Sequence, residues 1–259
     1  MKSTLKLKFT GIIPARFASS RFPGKPLAMI GGKSMIQRVY EQASKALEEV
    51  WVATDNDSIR EAVLSFGGKV VMTSSSHRSG TDRCAEAARL IFSENPADEN
   101  VIINIQGDEP FIKPQQIVML SRCFDQPEVQ IATLIRKVSE GEDLSNVNHP
   151  KVVVSKEMDA LFFSRSVIPF LRDSKPEEWA SKHDFYKHLG LYGYRLGALL
   201  KITALPQSSL EKAESLEQLR WIENGYKIRC AVTPWESIGI DTPEDLARAE
   251  ALLLSDKSI

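Results

Sequence analysis

Val101-Ile102-Ile103-Asn104-Ile105-Gln106-Gly107-Asp108-Glu109-Pro110 is an apolar run that stops abruptly at a glycine, two acids and a proline. Val101 to Gln106 reads as a buried strand, and Gly107 to Pro110 as the turn that leaves it. Upstream, strand and helix patterns alternate. Thr81 is placed to cap a helix running to about Phe92, and Lys69 to Met72 is strand-like. Ser58-Ile59-Arg60-Glu61 has capping-box spacing and opens a helix that stops at Phe66, before Gly67-Gly68. Val50 to Ala53 is a short strand, Ser34 to Leu47 carries a helical apolar stripe, and Leu5 to Pro14 is the first strand. Downstream, Pro114 to Phe124 reads as a helix with proline in its first turn. This βαβα order predicts an α/β fold: a mostly parallel sheet flanked by helices. Ligands on such sheets bind beyond the carboxyl ends of the strands. The turn at Asp108, the Ser74 to Thr81 segment and the loop after the first strand therefore share one rim.

That first loop, Ala15 to Leu27, holds Arg16, Arg21 and Lys25 and no acidic residue. Cations and open backbone N–H groups at the end of a strand suit a polyanion such as a nucleoside triphosphate, although a solvated basic loop has the same composition. A carboxylate at Asp108 suits Mg²⁺, which takes few carboxylates along with waters and substrate phosphates. Asp241 follows Gly239-Ile240 and precedes Thr242-Pro243-Glu244-Asp245, a strong helix start, so it is a second candidate ligand. Either aspartate alone could be a local turn or cap residue. Together with the cationic loop they form a set suited to nucleotidyl transfer.

Other chemistries find little support. Gly32-Lys33-Ser34 lacks the upstream glycine of a phosphate-binding Walker loop, since Leu27 stands there. The histidines His77, His149, His183 and His188 have no close ligand spacing, and Cys84, Cys123 and Cys230 form no paired motif. A formal net charge of -1 gives no basic field for nucleic acid. No apolar run is long enough to span a membrane, and the N-terminus shows no signal-peptide pattern, so a cytoplasmic location is expected.

After Val129 the pattern changes. Gln130 to Lys137 is strand-like, Lys151 to Ser155 with Asp159 to Phe163 resembles a hairpin, and Arg172 to Asp184 reads as a charged loop. Leu189 to Arg195 and Lys227 to Val232 are strand-like. Ser209 is placed to cap one helix bearing Leu210, Ala213, Leu216, Leu219 and Ile222, ending at Gly225.

Several motifs occur in order: Ile13-Pro14-Ala15-Arg16, Ser20-Arg21, Pro23-Gly24-Lys25-Pro26-Leu27, His77 with Ser79-Gly80-Thr81-Asp82-Arg83, Gln106 to Pro110, and Gly239 with Asp241 to Leu246. Phe162-Phe163-Ser164-Arg165, His188 to Arg195 and Leu216 to Arg220 add to them. By these motifs, from about Phe9 to Arg248, the chain resembles the 3-deoxy-D-manno-octulosonate (Kdo) cytidylyltransferase family of lipopolysaccharide synthesis. The resemblance implies a nucleotide-diphospho-sugar transferase-like, Rossmann-like fold spanning residues 1–259 as a single domain. An inserted dimerisation and sugar-binding region at approximately 133–225 would make the chain a homodimer. It implies that Ala15, Arg16, Ser20, Lys25, Ser74, His77, Ser79 and Gly80 bind CTP. Asp108 and Asp241 would hold Mg²⁺, and Arg16, Lys25, Asp108 and Asp241 would be the catalytic group. Arg83, Gln106, His188, Tyr192, Glu217 and Gln218 would surround the sugar acid, with Arg165 close by. Arg21 matches the motif without an assigned contact. The rival readings are a cytidylyltransferase for an amino analogue of Kdo or another acidic sugar, and a non-catalytic nucleotide-binding protein on the same fold.

Overall fold

The structure is a computed structural model that describes residues 7–18, 21–92, 99–236 and 238–255. The chain divides into two compact units. The first takes its described residues from Met1–Val118, Gly193–Thr203 and Ser237–Ile259, and the second from Met119–Tyr192 and Ala204–Glu236.

In chain order the strands are β1 (Lys8–Ala15), β2 (Met29–Ile30), β3 (Lys33–Ser34), β4 (Glu49–Thr54), β5 (Lys69–Met72), β6 (Asn100–Asn104), β7 (Ile131–Lys137), β8 (Lys151–Val154), β9 (Ala160–Ser164), β10 (Tyr186–Arg195) and β11 (Ile228–Val232). The helices are α1 (Met35–Ser44), α2 (Asp57–Ser65), α3 (Gly80–Ile91), α4 (Pro114–Arg122), α5 (Trp179–Lys182), α6 (Leu196–Ile202), α7 (Ser209–Glu214), α8 (Gln218–Glu223) and α9 (Pro243–Ser255).

In the first unit β6, β1, β4 and β5 lie side by side, all parallel. The expected α/β fold with a mostly parallel, helix-flanked sheet is therefore present. β6 is buried along its whole length, and Ile12 and Ile13 of β1 are fully buried beside it. Such continuous apolar strands need cover on both faces, which is why each is followed by a helix with a buried stripe. In α1 that stripe is Met35, Ile36, Val39 and Ala43. The C-terminal α9 joins a smaller core in which Ala249 packs with Ile30, Met35, Phe111 and Ile240. Among the described residues no helix is long and apolar enough to cross a membrane.

In the second unit β11 and β7 are parallel, and β8 pairs antiparallel with both β10 and β9. The hairpin expected at Lys151 to Phe163 is thus present as β8 and β9.

Four local expectations need correction. The cap of α2 is Asn56, whose side chain accepts from Ile59 N at 3.1 Å, rather than Ser58. The cap of α3 is Ser79, which accepts from Asp82 N at 3.1 Å, so Thr81 lies inside the helix. In both cases two capping residues stand two apart, and the earlier one takes the extended backbone that a cap needs. The segment read as a charged loop, Arg172 to Asp184, contains a 3₁₀ turn at Pro176–Glu178 and then α5. It is ordered by Trp179, which packs with Val138 and Phe185. The single helix read from Ser209 to Gly225 is two helices, because Ser215 turns into the left-handed region at φ 51°. Its cap is Ser208, with a capping box to Glu211.

Candidate active site

β1 ends at Ala15 and delivers Arg16 to the rim. The chain then closes on itself, with Gly24 N donating to Phe17 O at 3.0 Å. Gly24 sits at φ 70°, where a side chain is strained, and it launches the 3₁₀ turn that begins with Lys25. β6 ends in the Gln106–Pro110 turn. There Gly107 passes so close to β1 that a Cβ would lie 2.9 Å from Pro14 O, so only glycine fits. The third segment arrives from the far end of the chain. Ile240 N donates to Asp108 O at 2.9 Å, tying the two aspartate-bearing segments together. Asp241 N and Thr242 N both donate to Asp245 Oδ2, and Thr242 Oγ1 accepts from Asp245 N, which fixes Asp241 at the mouth of α9.

These segments converge on a cavity of about 240 Å³. Lys25 Nζ stands 2.7 Å from Asp108 Oδ2 and 3.0 Å from Asp241 Oδ1, and Arg21 reaches Asp241 Oδ1 at 3.2 Å. The lysine side chain is only 14% exposed, while those of Asp108 and Asp241 are 31% and 45% exposed, so a largely buried ammonium meets two partly solvated carboxylates. Arg16 and Arg78 also line the cavity, are exposed, and make no ion pair with a described residue. Ser79 and Gly80 present the N-terminus of the 12-residue α3 to the same space. A helix N-terminus with cations beside it favours an anion there.

Beneath this floor, Arg83 is buried. It donates to Thr73 Oγ1 at 2.7 Å and to Asp55 Oδ2 at 3.0 Å. His77 Nε2 is bonded to Glu86 Oε2, and the same oxygen accepts from Ser74 N at 2.9 Å. Burial pushes the Glu86 carboxyl up, but the bonds from His77 and Ser74 outweigh it and hold it below the ordinary carboxylate value.

Of the residues singled out in the sequence, Ala15, Arg16, Arg21, Lys25, His77, Ser79, Gly80, Arg83, Gln106, Asp108 and Asp241 line this one cavity. Ser74 does not line it but is tied to the wall through Glu86. Ser20 lies outside the described residues.

His188, Tyr192, Glu217 and Gln218 belong to the second unit, where they form a cluster of their own. The His188 ring lies 5.2 Å from those of Phe163 and Tyr192, with its Nε2 3.1 Å from Thr133 Oγ1. Burial drives its pKa down to about 3, so the ring is neutral. Tyr192 packs edge-on against Trp221 of α8, and its hydroxyl is pushed well above its ordinary pKa by burial, then by the charges of Cys230 and Glu217. Gln218 is buried with no partner for Nε2 among the described residues. Glu217 pairs with Arg220 at 3.2 Å. Arg165, expected close to the site, is spent on carbonyls: it donates to Glu214 O, Ser215 O and Val147 O, holding the break between α7 and α8.

Sequence reading missed Arg78, Asp55 and Glu86. Arg78 stood inside a quoted motif as an unassigned basic residue. The two acids carry no local signal, because their roles depend on strands and a helix meeting in space.

Comparison with known proteins decides the family. The family model described as Cytidylyltransferase matches residues 10–228. A 3-deoxy-manno-octulosonate cytidylyltransferase from Bacteroides thetaiotaomicron is 58% identical over 250 residues, which is 95% of this chain and 98% of that protein. The chain belongs to the 3-deoxy-manno-octulosonate cytidylyltransferase family. A second member of that family, from Phocaeicola vulgatus, is 59% identical over 95% of this chain and 98% of its own length. Among solved structures, a CMP:2-keto-3-deoxy-manno-octonic acid synthetase complexed with CTP superposes with a TM-score of 0.85 at 43% identity, covering 96% of this chain and 99% of that one.

The donor set fits the metal expected for the family. Two carboxylates already converge on one positive charge, that of Lys25, and hard oxygen donors in that number suit Mg²⁺ completed by phosphates and waters. Among the described residues no group of three or more His, Cys, Asp or Glu side chains is placed to hold an ion, so phosphates and waters would have to complete the set.

Proposed function

We propose that this chain transfers the cytidylyl group of CTP to 3-deoxy-manno-octulosonate, releasing pyrophosphate. The product is an activated sugar acid for lipopolysaccharide assembly. The observation that supports this reading most directly is the meeting of Lys25 with Asp108 and Asp241 in a cavity that Arg16, Ser79 and Gly80 also line. Relatives at 58–59% identity bear the names of enzymes with this activity.

The triphosphate lies in the first unit's cavity. Arg16 and Lys25 take its charge, and the amides at the start of α3 add their dipoles. The anomeric hydroxyl of the sugar acid attacks the α-phosphorus. The new P–O bond forms as the bond to the β-phosphate oxygen breaks, pyrophosphate carries away the electron pair, and the hydroxyl proton passes to solvent. No covalent enzyme intermediate is required, so positioning and electrostatics do the catalysis. Asp108 and Asp241 would hold Mg²⁺, which when bound supplies Lewis-acid polarisation of the phosphate. The roles of His188, Tyr192, Glu217 and Gln218 toward the sugar acid rest on the family resemblance. Arg83 and Gln106 contact it from the first unit's cavity. Arg83 does so from a guanidinium already steadied by Asp55 and Thr73. The second unit, where Phe170 is 72% exposed, mediates self-association into a homodimer, checked by sedimentation.

The test is pyrophosphate release across CTP, UTP, ATP and GTP, each with Kdo, its amino analogue and sialic acid, with and without Mg²⁺. Release with CTP, Kdo and Mg²⁺ together is expected. Turnover of the amino analogue in preference to Kdo overturns the substrate, and CTP binding without turnover on any sugar overturns the enzyme.

A further inference from the structure

Glu86 lies on α3, outside every motif singled out in the sequence and outside the lining of the cavity. Yet one of its oxygens, Oε2, takes both the His77 ring and the Ser74 backbone N–H. Ser74 Oγ in turn lies 2.8 Å from Ser76 Oγ and accepts from Ser76 N at 3.1 Å. The whole turn from Ser74 to His77 thus hangs on a single carboxylate. Glu86 is one helical turn beyond Arg83, so the two face the same way. Arg83 holds Thr73 at 2.7 Å, which makes α3 the support for the chain from Thr73 to His77 as it leaves β5.

The bond to Glu86 also fixes the chemistry of His77. With Nε2–H given to the carboxylate, the neutral ring carries its lone pair on Nδ1. The same bond holds the ring against turning over where His77 lines the cavity.

We infer that Glu86 is a positioning residue for the nucleotide, acting through His77 and the Ser74 turn while touching neither CTP nor sugar. The inference rests on the proposal that CTP occupies the first unit's cavity. It makes Glu86 the residue that holds the His77 part of the cavity wall in place for the nucleotide.

Two substitutions test it in the full chain, with wild type assayed alongside. Glu86→Ala removes the acceptor for both groups and is expected to raise the KM for CTP about tenfold, the usual worth of charged hydrogen bonds, with kcat within about threefold and the KM for the sugar unchanged. Glu86→Gln keeps an acceptor oxygen and is expected to recover most of that loss. In a cycle with His77→Ala, the double variant should lose much less than the product of the single losses. Nitrogen NMR of the His77 ring supplies a readout that does not depend on turnover: one tautomer in wild type, a mixture in Glu86→Ala. A Glu86→Ala chain with wild-type KM for CTP and an unchanged ring spectrum overturns the inference. So does a loss shared equally by both substrates together with a lowered melting temperature, or fully multiplicative losses in the cycle. If wild type itself neither binds nor turns over CTP, the proposed function fails instead, and the ring spectrum still reports whether Glu86 fixes His77.

Discussion

The first unit's cavity and the second unit's aromatic cluster manage polar groups in opposite ways. In the cavity, charges are set against one another: Lys25 between Asp108 and Asp241, and Arg83 against Asp55. In the cluster, the central groups are neutral: the His188 ring among aromatics and the buried Gln218 amide, with the Glu217–Arg220 pair at one side. Charges kept in water-poor surroundings stay ionised only with partners in place, and a preformed set of that kind is suited to a triphosphate whose charge shifts during reaction. Neutral donors and acceptors cost less to bury and discriminate by geometry, which suits a polyhydroxylated sugar acid.

The largest expected effect lies in the charged set. Asp108→Asn or Asp241→Asn should lower kcat/KM about 10³-fold, equivalent to the several kcal/mol that metal stabilisation of a transition state supplies. The fold should remain, because neither aspartate is core, and circular dichroism with a thermal melt checks that. A variant within tenfold of wild type removes that aspartate from the metal. A smaller effect tests the neutral set. Gln218→Leu should raise the KM for the sugar about tenfold and leave the KM for CTP alone. It should also raise the melting temperature by about 2–4 °C, since a buried amide donor with no partner among the described residues is replaced by apolar volume. A rise in stability without a change in either KM would make Gln218 a packing residue.

The smallest effect is electrostatic. His188 has a folded pKa of about 3 against an ordinary 6.5. Between those values the unfolded chain takes up a proton that the folded chain refuses, so stability drops as pH falls through that window. His188→Gln should flatten this acid limb by about 2–4 °C in melts recorded from pH 6.5 to 5.5. An unchanged limb would mean the ring is solvated enough to protonate in place.

The sequence made the scaffold legible because the parallel strands are continuous apolar runs: Val101 to Ile103 could only be interior. The charged lining of the first unit's cavity was legible in part: Arg16 and Asp108 follow strand ends closely, where topology gathers them, while Lys25 and Asp241 reach it at the ends of longer loops. What stayed hidden depends on bonds made across the fold. The apolar stripe from Leu210 to Ile222 is helical throughout, and nothing in it announces the break at Ser215. The break is held by Arg165 from β9's end, donating to the carbonyls of Glu214 and Ser215. Glu86 was likewise one acid among many on an amphipathic helix until Ser74 and His77 were brought to it.

The bond from Ile240 N to Asp108 O has a consequence for biosynthesis. Residues 12 to 108 can pair their strands as soon as they leave the ribosome, but one of the two aspartates arrives with residue 241, after every strand of the described residues has been made. The nascent chain therefore becomes competent for the proposed ligands only once residue 241 has left the ribosome. A chain cut short just before Gly239 would keep most of its sheet and have only half of its carboxylate pair.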